Sequence, residues 1–410
     1  MNLNSTPSAD RIHIGIFGRR NAGKSSIINA ITGQNLAIVS DTKGTTTDPV
    51  LKAMELLPLG PVVLIDTPGL DDEGALGKLR IEKAYQILNK TDIALLVIDS
   101  TLGMTEEDMR ILTRIKAKDI PYLLVYNKCD LLPSDETVQN FIGSAHTEIQ
   151  SAINAAPRIL VSTDTGQNIR ELKEQIAALA PKDAETLPIV RDLLQPNDFV
   201  VLVVPIDSSA PKGRLILPQQ QTIRDILKAG AVSVVVKDTE LKETLNTLGK
   251  APALVVTDSQ AFKKAANDVP DNIPLTSFSI LFARHKGDLE ILAQGAPAID
   301  TLKDGDTVLI SEGCTHHRQC EDIGTVKIPR LLKKHTGKEL CFEFTSGVEF
   351  PTDLSKYSLI IHCGGCTLNE REMKYRLRCA SDAGIPITNY GTAIAHMNGI
   401  LKRSLEPFTI

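Results

Sequence analysis

No apolar run in this 410-residue chain is longer than a strand, so no membrane-spanning helix is expected. Basic charge is also scarce. Lys and Arg number 45 against 50 Asp and Glu, a net charge of −5, and no local Lys/Arg run offsets it. The electrostatic footprint of a nucleic-acid binder is therefore missing. So is a KH element with its Gly-x-x-Gly clamp. The stretch Met1 to Asp10 is polar and does not read as a secretion signal. Seven cysteines, an odd number in a long chain, suit a reducing compartment where thiols stay free or bind metal. The expected location is cytoplasmic, with no nucleic-acid and no membrane partner. Apolar residues at 42% and charged residues at 23% are ordinary for a globular protein, and the length allows two to four domains.

The strand-like run Ile12-His13-Ile14-Gly15-Ile16-Phe17 leads into Gly18-Arg19-Arg20-Asn21-Ala22-Gly23-Lys24-Ser25 and then a helix-like segment. This is the complete G-x-x-x-x-G-K-[ST] pattern in its strand–loop–helix setting. Gly18 and Gly23 let backbone N–H groups close around phosphates, and the helix N-terminus adds its dipole. Lys24 is expected to reach the β/γ-phosphates and Ser25 to sit on Mg²⁺. The run Val62 to Ile65 ends in Asp66-Thr67-Pro68-Gly69. There Asp66 is expected to hold the hydration shell of Mg²⁺ and the Gly69 N–H to sense a γ-phosphate. A third run ends in Asn127-Lys128-Cys129-Asp130, where the Asp130 carboxylate can accept from the N1–H and exocyclic amine of guanine. Adenine lacks that pair, so the site should select GTP and GDP. The Lys128 stem is expected to pack over the base, and Ser162 is a weaker candidate for the loop that closes on it. Between the first two motifs, Asp41 to Asp48 is a polar Thr-rich loop whose Thr46 is expected to complete the Mg²⁺ shell. Lys24, Thr46, Asp66 and Gly69 are the catalytic candidates.

These residues resemble the translation-factor-related GTPases of the MnmE (TrmE), Era and Der branch, on Asn21 in the phosphate loop and Gly44-Thr45-Thr46-Thr47-Asp48 in the switch. The resemblance implies hydrolysis activated by K⁺, with Asn21 helping to hold that ion. Position 70 is Leu, so the usual water-orienting Gln is missing and unaided hydrolysis is expected to be slow.

Beyond the Pro-flanked linker near Ala180 to Pro188, strand-like and helical runs alternate to the end of the chain. The expected fold class is α/β: a P-loop GTPase domain (1–181) followed by two smaller α/β domains with mainly parallel sheets (189–300 and 301–410). The middle block shows no catalytic pattern and is a candidate for self-association, giving a homodimer or larger assembly. In the last block two apolar runs end in ligand-type residues. Thr307 to Ser311 leads to Cys314-Thr315-His316, and Ser358 to Ile361 leads to His362-Cys363-Gly364-Gly365-Cys366. Strands that release such residues at their carboxyl ends can place them in one crevice of an open sheet. Cys314, Cys363 and Cys366 with His316 or His362 suit either a closed zinc site or an iron–sulfur cluster with one weak position. Cys129, Cys341 and Cys379 read as buried packing residues, Cys320 as either a spare thiol or a stray fourth ligand, and His335 and His396 as surface or packing residues.

The combination of a GTPase of this type, a middle block and Cys-x-His followed after 45 residues by His-Cys-x-x-Cys resembles the HydF family of [FeFe]-hydrogenase maturation GTPases. That resemblance implies a [4Fe-4S] cluster on Cys314, Cys363 and Cys366, with His316 or His362 at the fourth iron. It further implies a scaffold that receives a transient di-iron precursor from radical-SAM maturases and passes it to apo [FeFe]-hydrogenase. The alternatives are an MnmE/Era-like K⁺-activated GTPase with a structural zinc, and one with a redox-sensing cluster.

Overall fold

The computed structural model describes residues 7–33, 50–67, 84–132, 156–180, 187–206, 215–313, 322–347, 349–351 and 353–408. The chain divides into two compact units, Met1–Ala184 and Glu185–Ile410.

The first unit is built on a sheet of β1 (Ile12–Phe17), β2 (Val50–Leu56), β3 (Gly60–Asp66), β4 (Ile93–Asp99), β5 (Tyr122–Asn127) and β6 (Arg158–Leu160). Its order is β2-β3-β1-β4-β5-β6, with β2 antiparallel to β3 and all other pairs parallel. The parallel strands are near-continuous runs of Val, Ile and Leu because helices and loops cover both of their faces. Two apolar layers result, one under the helices Lys24–Thr32 and Ile169–Ala178 and one under Glu106–Ala117. The last helix starts where Thr105 and Asp108 form a reciprocal capping box.

The second unit contains two four-stranded, all-parallel sheets. One comprises β7 (Phe199–Val203), β8 (Val232–Val236), β9 (Leu254–Thr257) and β10 (Leu275–Ser277), in the order β10-β9-β7-β8. The other comprises β11 (Thr307–Ser311), β12 (Cys341–Thr345), β13 (Leu359–His362) and β14 (Ile387–Asn389), in the order β12-β11-β13-β14. Numbered within each sheet, both read 2-1-3-4. The chain therefore reverses its direction of winding between β7 and β9, and again between β11 and β13. The expected α/β class with mainly parallel sheets is what the chain forms.

The segments 189–300 and 301–410 share one continuous apolar core, which runs from Ile189 through the four strands of each sheet to Phe408. Helix Leu289–Gly295 lies against β14 and is tied to it by the Thr388 hydroxyl, which donates to the Leu292 carbonyl at 2.9 Å. Near the C-terminus, Arg403 donates to the carbonyls of Val269 and Pro270 at 2.8 and 2.7 Å. An apolar helix, Tyr390–Met397, follows β14 directly. Asn389 caps it by accepting from the Thr392 N–H at 2.8 Å, which ends β14 and starts the helix without a loop. Among the described residues no helix is long and apolar enough to cross a membrane.

Candidate functional site

The carboxyl ends of β1, β3 and β5 bring together the three nucleotide motifs. After β1 the backbone turns through Gly18 (φ 142°), Asn21 (φ 59°) and Gly23 (φ 96°) before helix Lys24–Thr32. A Cβ on Gly18 would lie 2.2 Å from the Val97 carbonyl oxygen, and one on Gly23 2.1 Å from Asn127 Nδ2. Sterics and backbone angle thus both demand glycine there. Lys24 is buried and donates to the carbonyls of Gly18 (2.9 Å) and Arg19 (2.7 Å), so its ammonium lies inside the loop that phosphates would enter. The Ser25 hydroxyl donates to Asp66 Oδ2 at 3.1 Å, joining the two expected Mg²⁺ groups across neighbouring elements. Burial pushes the Asp66 carboxyl above its usual range, against the pull of Lys24, Ser25 and Lys52. A half-buried acid in that condition beside a hydroxyl suits a hydrated divalent cation, which would supply further positive charge.

The guanine motif does structural work here. Asn127 is buried; its Nδ2 donates to the Ala22 carbonyl at 3.2 Å and its Oδ1 accepts from the Thr163 N–H at 3.2 Å. One side chain therefore clips the phosphate loop to the Ser162 loop. Lys128, at φ 65°, pairs with Asp99 at 2.6 Å. Burial pushes Asp99 up, but hydrogen bonds from Lys128 and Thr101 outweigh it and leave the carboxyl below its usual range. Asp130 is exposed, as a group that meets a ligand must be, and Ser162 is buried, its hydroxyl accepting from the Thr165 N–H at 3.1 Å. Thr46 and Gly69 lie outside the described residues.

The second candidate site is the crevice between β11 and β13. Ser311 registers against His362, and the Cys363 N–H donates to the Ser311 carbonyl at 2.9 Å, one residue beyond the strand. Cys363 Sγ accepts from the Gly313 N–H at 3.0 Å and from the Gly365 N–H at 3.4 Å. The Thr367 hydroxyl returns to the Gly313 carbonyl at 2.8 Å, so the thiol turn wraps the exit of β11. Cys314 and His316 lie outside the described residues, but Gly313 is the covalent neighbour of Cys314. Burial pushes the Cys363 thiol up, opposed by the Gly313 and Gly365 N–H groups. Burial and the neighbouring Cys363 push Cys366 up to about 11, opposed by the Lys286 ammonium. Paired half-buried thiols, with N–H donors aimed at sulfur and a cation nearby, fit a group that ligates them as thiolates.

Both ring nitrogens of His362 have protein partners. It is fully buried, and its Nε2 accepts from Arg376 Nη1 at 3.0 Å while its Nδ1–H donates to the Cys363 carbonyl at 2.7 Å. Burial and the Arg376 charge lower its pKa to about 3, so the ring is neutral and has no nitrogen left for a metal.

Several residues around this crevice carry no motif. Arg376 is completely buried and donates to Glu372 (2.9 Å), the Ser311 hydroxyl (3.2 Å) and the Gly347 carbonyl (2.7 Å) as well as His362. The spacing of Glu372 and Arg376 on helix Glu370–Asp382 is that of an ordinary surface pair, which hides their burial from sequence reasoning. Lys286 is also buried and donates to the carbonyls of Cys366 (3.3 Å) and Leu368 (3.2 Å). Glu312 accepts from the Tyr390 hydroxyl at 3.1 Å and lies close enough to Cys363 to oppose its ionisation.

Three family profiles match the chain. Residues 13–128 match one described as 50S ribosome-binding GTPase, residues 189–287 the hydrogen maturase F dimerization domain, and residues 290–407 the hydrogen maturase F tetramerization domain. Curated relatives include GTPase Der of Kosmotoga olearia, 32% identical over 178 residues, which are 42% of this chain and 40% of that protein. The tRNA modification GTPase MnmE of Prochlorococcus marinus is 36% identical over 157 residues, 38% of this chain and 32% of that protein. The chain thus spans about two fifths or less of the length of these relatives. Among solved structures, Era of Aquifex aeolicus bound to GDP and aluminium fluoride aligns at 22% identity and a TM-score of 0.38, over 58% of this chain and 98% of that one.

Two outcomes test this geometry. Gly23→Ala forces a methyl onto Asn127, and strain of about 1–3 kcal/mol at such a position should weaken nucleotide binding about tenfold or more. Titration with a fluorescent guanine nucleotide measures it, and unchanged affinity refutes the steric account. Arg376→Ala leaves Glu372 buried without its partner, which should cost about 3–5 kcal/mol. The double variant Arg376→Leu with Glu372→Leu should recover much of that loss in urea denaturation.

Proposed function

The chain belongs to the hydrogen maturase F family, and from that membership we propose that it is a GTP-hydrolysing scaffold of [FeFe]-hydrogenase maturation. It binds a [4Fe-4S] cluster, takes up a di-iron precursor from radical-SAM maturases and delivers it to the apo-hydrogenase. The observation that carries this reading is the pairing of β11 with β13, which sets Gly313, the neighbour of Cys314, against Cys363 Sγ at 3.0 Å. Cys363 and Cys366, with Cys314, would hold the cluster; bound there, it supplies an iron with an exchangeable position at which cargo can dock. The protein's own part is to present thiolates: N–H donors on Cys363 and the Lys286 charge near Cys366 favour the ionised sulfur that burial alone disfavours.

In the nucleotide cleft Lys24 neutralises the β/γ-phosphates, Ser25 and Asp66 serve Mg²⁺, and Thr46 and Gly69 report the γ-phosphate. Asn21, in a left-handed conformation within the loop, would help to hold K⁺. Hydrolysis need drive no bond formation in the second unit. Its switch can alter affinity for the maturases. The profiles named for dimerization and tetramerization support self-association through residues 189–407. Cytoplasmic location follows from the same reading.

Three measurements decide this. Anaerobically purified protein should be brown and contain iron with acid-labile sulfide; zinc with no colour would replace the scaffold reading by the structural-zinc alternative. Lys24→Ala should abolish GTP turnover and leave the cluster absorption intact, and Cys363→Ser the reverse. Loss of both properties in either variant contradicts separate sites. Asp130→Asn should shift preference from GTP towards XTP, because an amide can donate to the xanthine 2-oxo group where the carboxylate can only accept. Retained GTP preference removes Asp130 from base recognition.

A further inference from the structure

Outside both sites, three elements of the second unit aim one donor each at a single point. Asp300 lies in the 3-10 helix Ala296–Thr301, His335 in the last turn of helix Ile328–Thr336, and His396 in the last turn of helix Tyr390–Met397. His335 Nε2 is 2.8 Å from Asp300 Oδ1, and His396 Nε2 is 2.9 Å from Oδ2 of the same carboxylate. One donor atom from each residue lies within 4.8 Å of the others, and the two rings are 6.0 Å apart at 60°.

We propose that Asp300, His335 and His396 form a binding site for a divalent transition-metal cation, zinc above all, distinct from the thiol crevice. Two imidazoles and one carboxylate are a ligand set zinc accepts, with the fourth position left to water. Tetrahedral zinc at its usual bond lengths needs neighbouring donors about 3.3 Å apart; with one donor atom per residue already within 4.8 Å of the others, side-chain adjustment of up to about 1.5 Å reaches that spacing. The three elements pack pairwise, so the donors are held on a common frame. Both histidines sit at helix C-termini, where the carbonyl ends of the macrodipole favour a cation. The site is partly exposed, with His396 at 17% and His335 at 30% side-chain accessibility, which leaves an entry path. On binding, each Nε2 exchanges its proton for the metal. From a neutral ring the proton moves to Nδ1, and from an imidazolium the Nε2 proton passes to solvent while Nδ1 keeps its own.

The full chain, saturated with GDP and Mg²⁺ to occupy the nucleotide cleft, is loaded with zinc, desalted and analysed for metal. Wild type should retain about one zinc per chain more than Asp300→Asn or the double variant His335→Gln, His396→Gln. Zinc should raise the melting temperature of wild type more than that of Asp300→Asn, a near-isosteric change that spares the packing. With Co²⁺, the difference spectrum between wild type and Asp300→Asn should contain weak ligand-field bands and no sulfur-to-cobalt charge transfer. Equal zinc content in wild type and Asp300→Asn would show that the cluster is only an Asp–His ion-pair network. A thiolate band in the difference spectrum would equally overturn the proposal, by assigning the extra metal to cysteine.

Discussion

The parallel pairing of β11 with β13 sets the geometry of the whole second unit. Both strands are interior, both bury an apolar run (Val308 to Ile310 and Leu359 to Ile361), and at their ends the buried Ser311 stands level with the buried His362. The register is held by the ladder and its extension, in which the Cys363 N–H donates to the Ser311 carbonyl at 2.9 Å. Given that register, the two chain exits must enter the same space, and the 2-1-3-4 order opens a crevice there as the connections leave to opposite sides. Arg376 stabilises the arrangement from beneath. Its guanidinium reaches the end of β11 through Ser311, the end of β13 through His362, and the backbone at Gly347, with Glu372 balancing its charge. Such a group is costly to bury alone; here each donor position named has an acceptor, which is the condition for keeping it.

The nucleotide cleft follows the same logic of strand ends, with different constraints. Glycine is required at 18 and 23 by collision with the neighbouring β4 backbone and with Asn127, and these collisions fix the curvature of the phosphate loop. Asn127 then locks the loop to the segment around Thr163. The phosphate loop and the Ser162 loop are thereby held on one frame by a single buried side chain.

How much of this the sequence discloses depends on how local the signal is. The phosphate loop is legible because its residues are contiguous and lie between a strand and a helix, and the strand-ending Cys motifs are legible for the same reason. Asp66 and Ser25, 41 residues apart in the chain, are linked only through the family pattern, and the structure places their oxygens within hydrogen-bonding distance. The role of His362 is not readable beforehand, because its two partners are a backbone carbonyl and an arginine 14 residues away. Asp300, His335 and His396 are harder still. They carry no spacing rule, and only the convergence of three helical elements brings them together. Burial of Lys286 and Arg376 reverses their ordinary surface assignment.

The middle segment earns a larger role than self-association alone. Sequence shows no chemistry in it, yet helix Phe278–Lys286 forms part of the floor of the thiol turn. Lys286 grips the carbonyls of Cys366 and Leu368, and Ser279 lies where a Cβ on Gly364 would come into van der Waals contact at 3.5 Å. The Asn389 side chain, at the end of β14, donates to the Ser279 carbonyl at 2.9 Å. The two sheets have the same strand order, but only the second carries thiols at its winding reversal, and the first sheet's helix supports them. The middle segment thus contributes to the thiol turn directly, through a buried ammonium and the packed side chains of one helix.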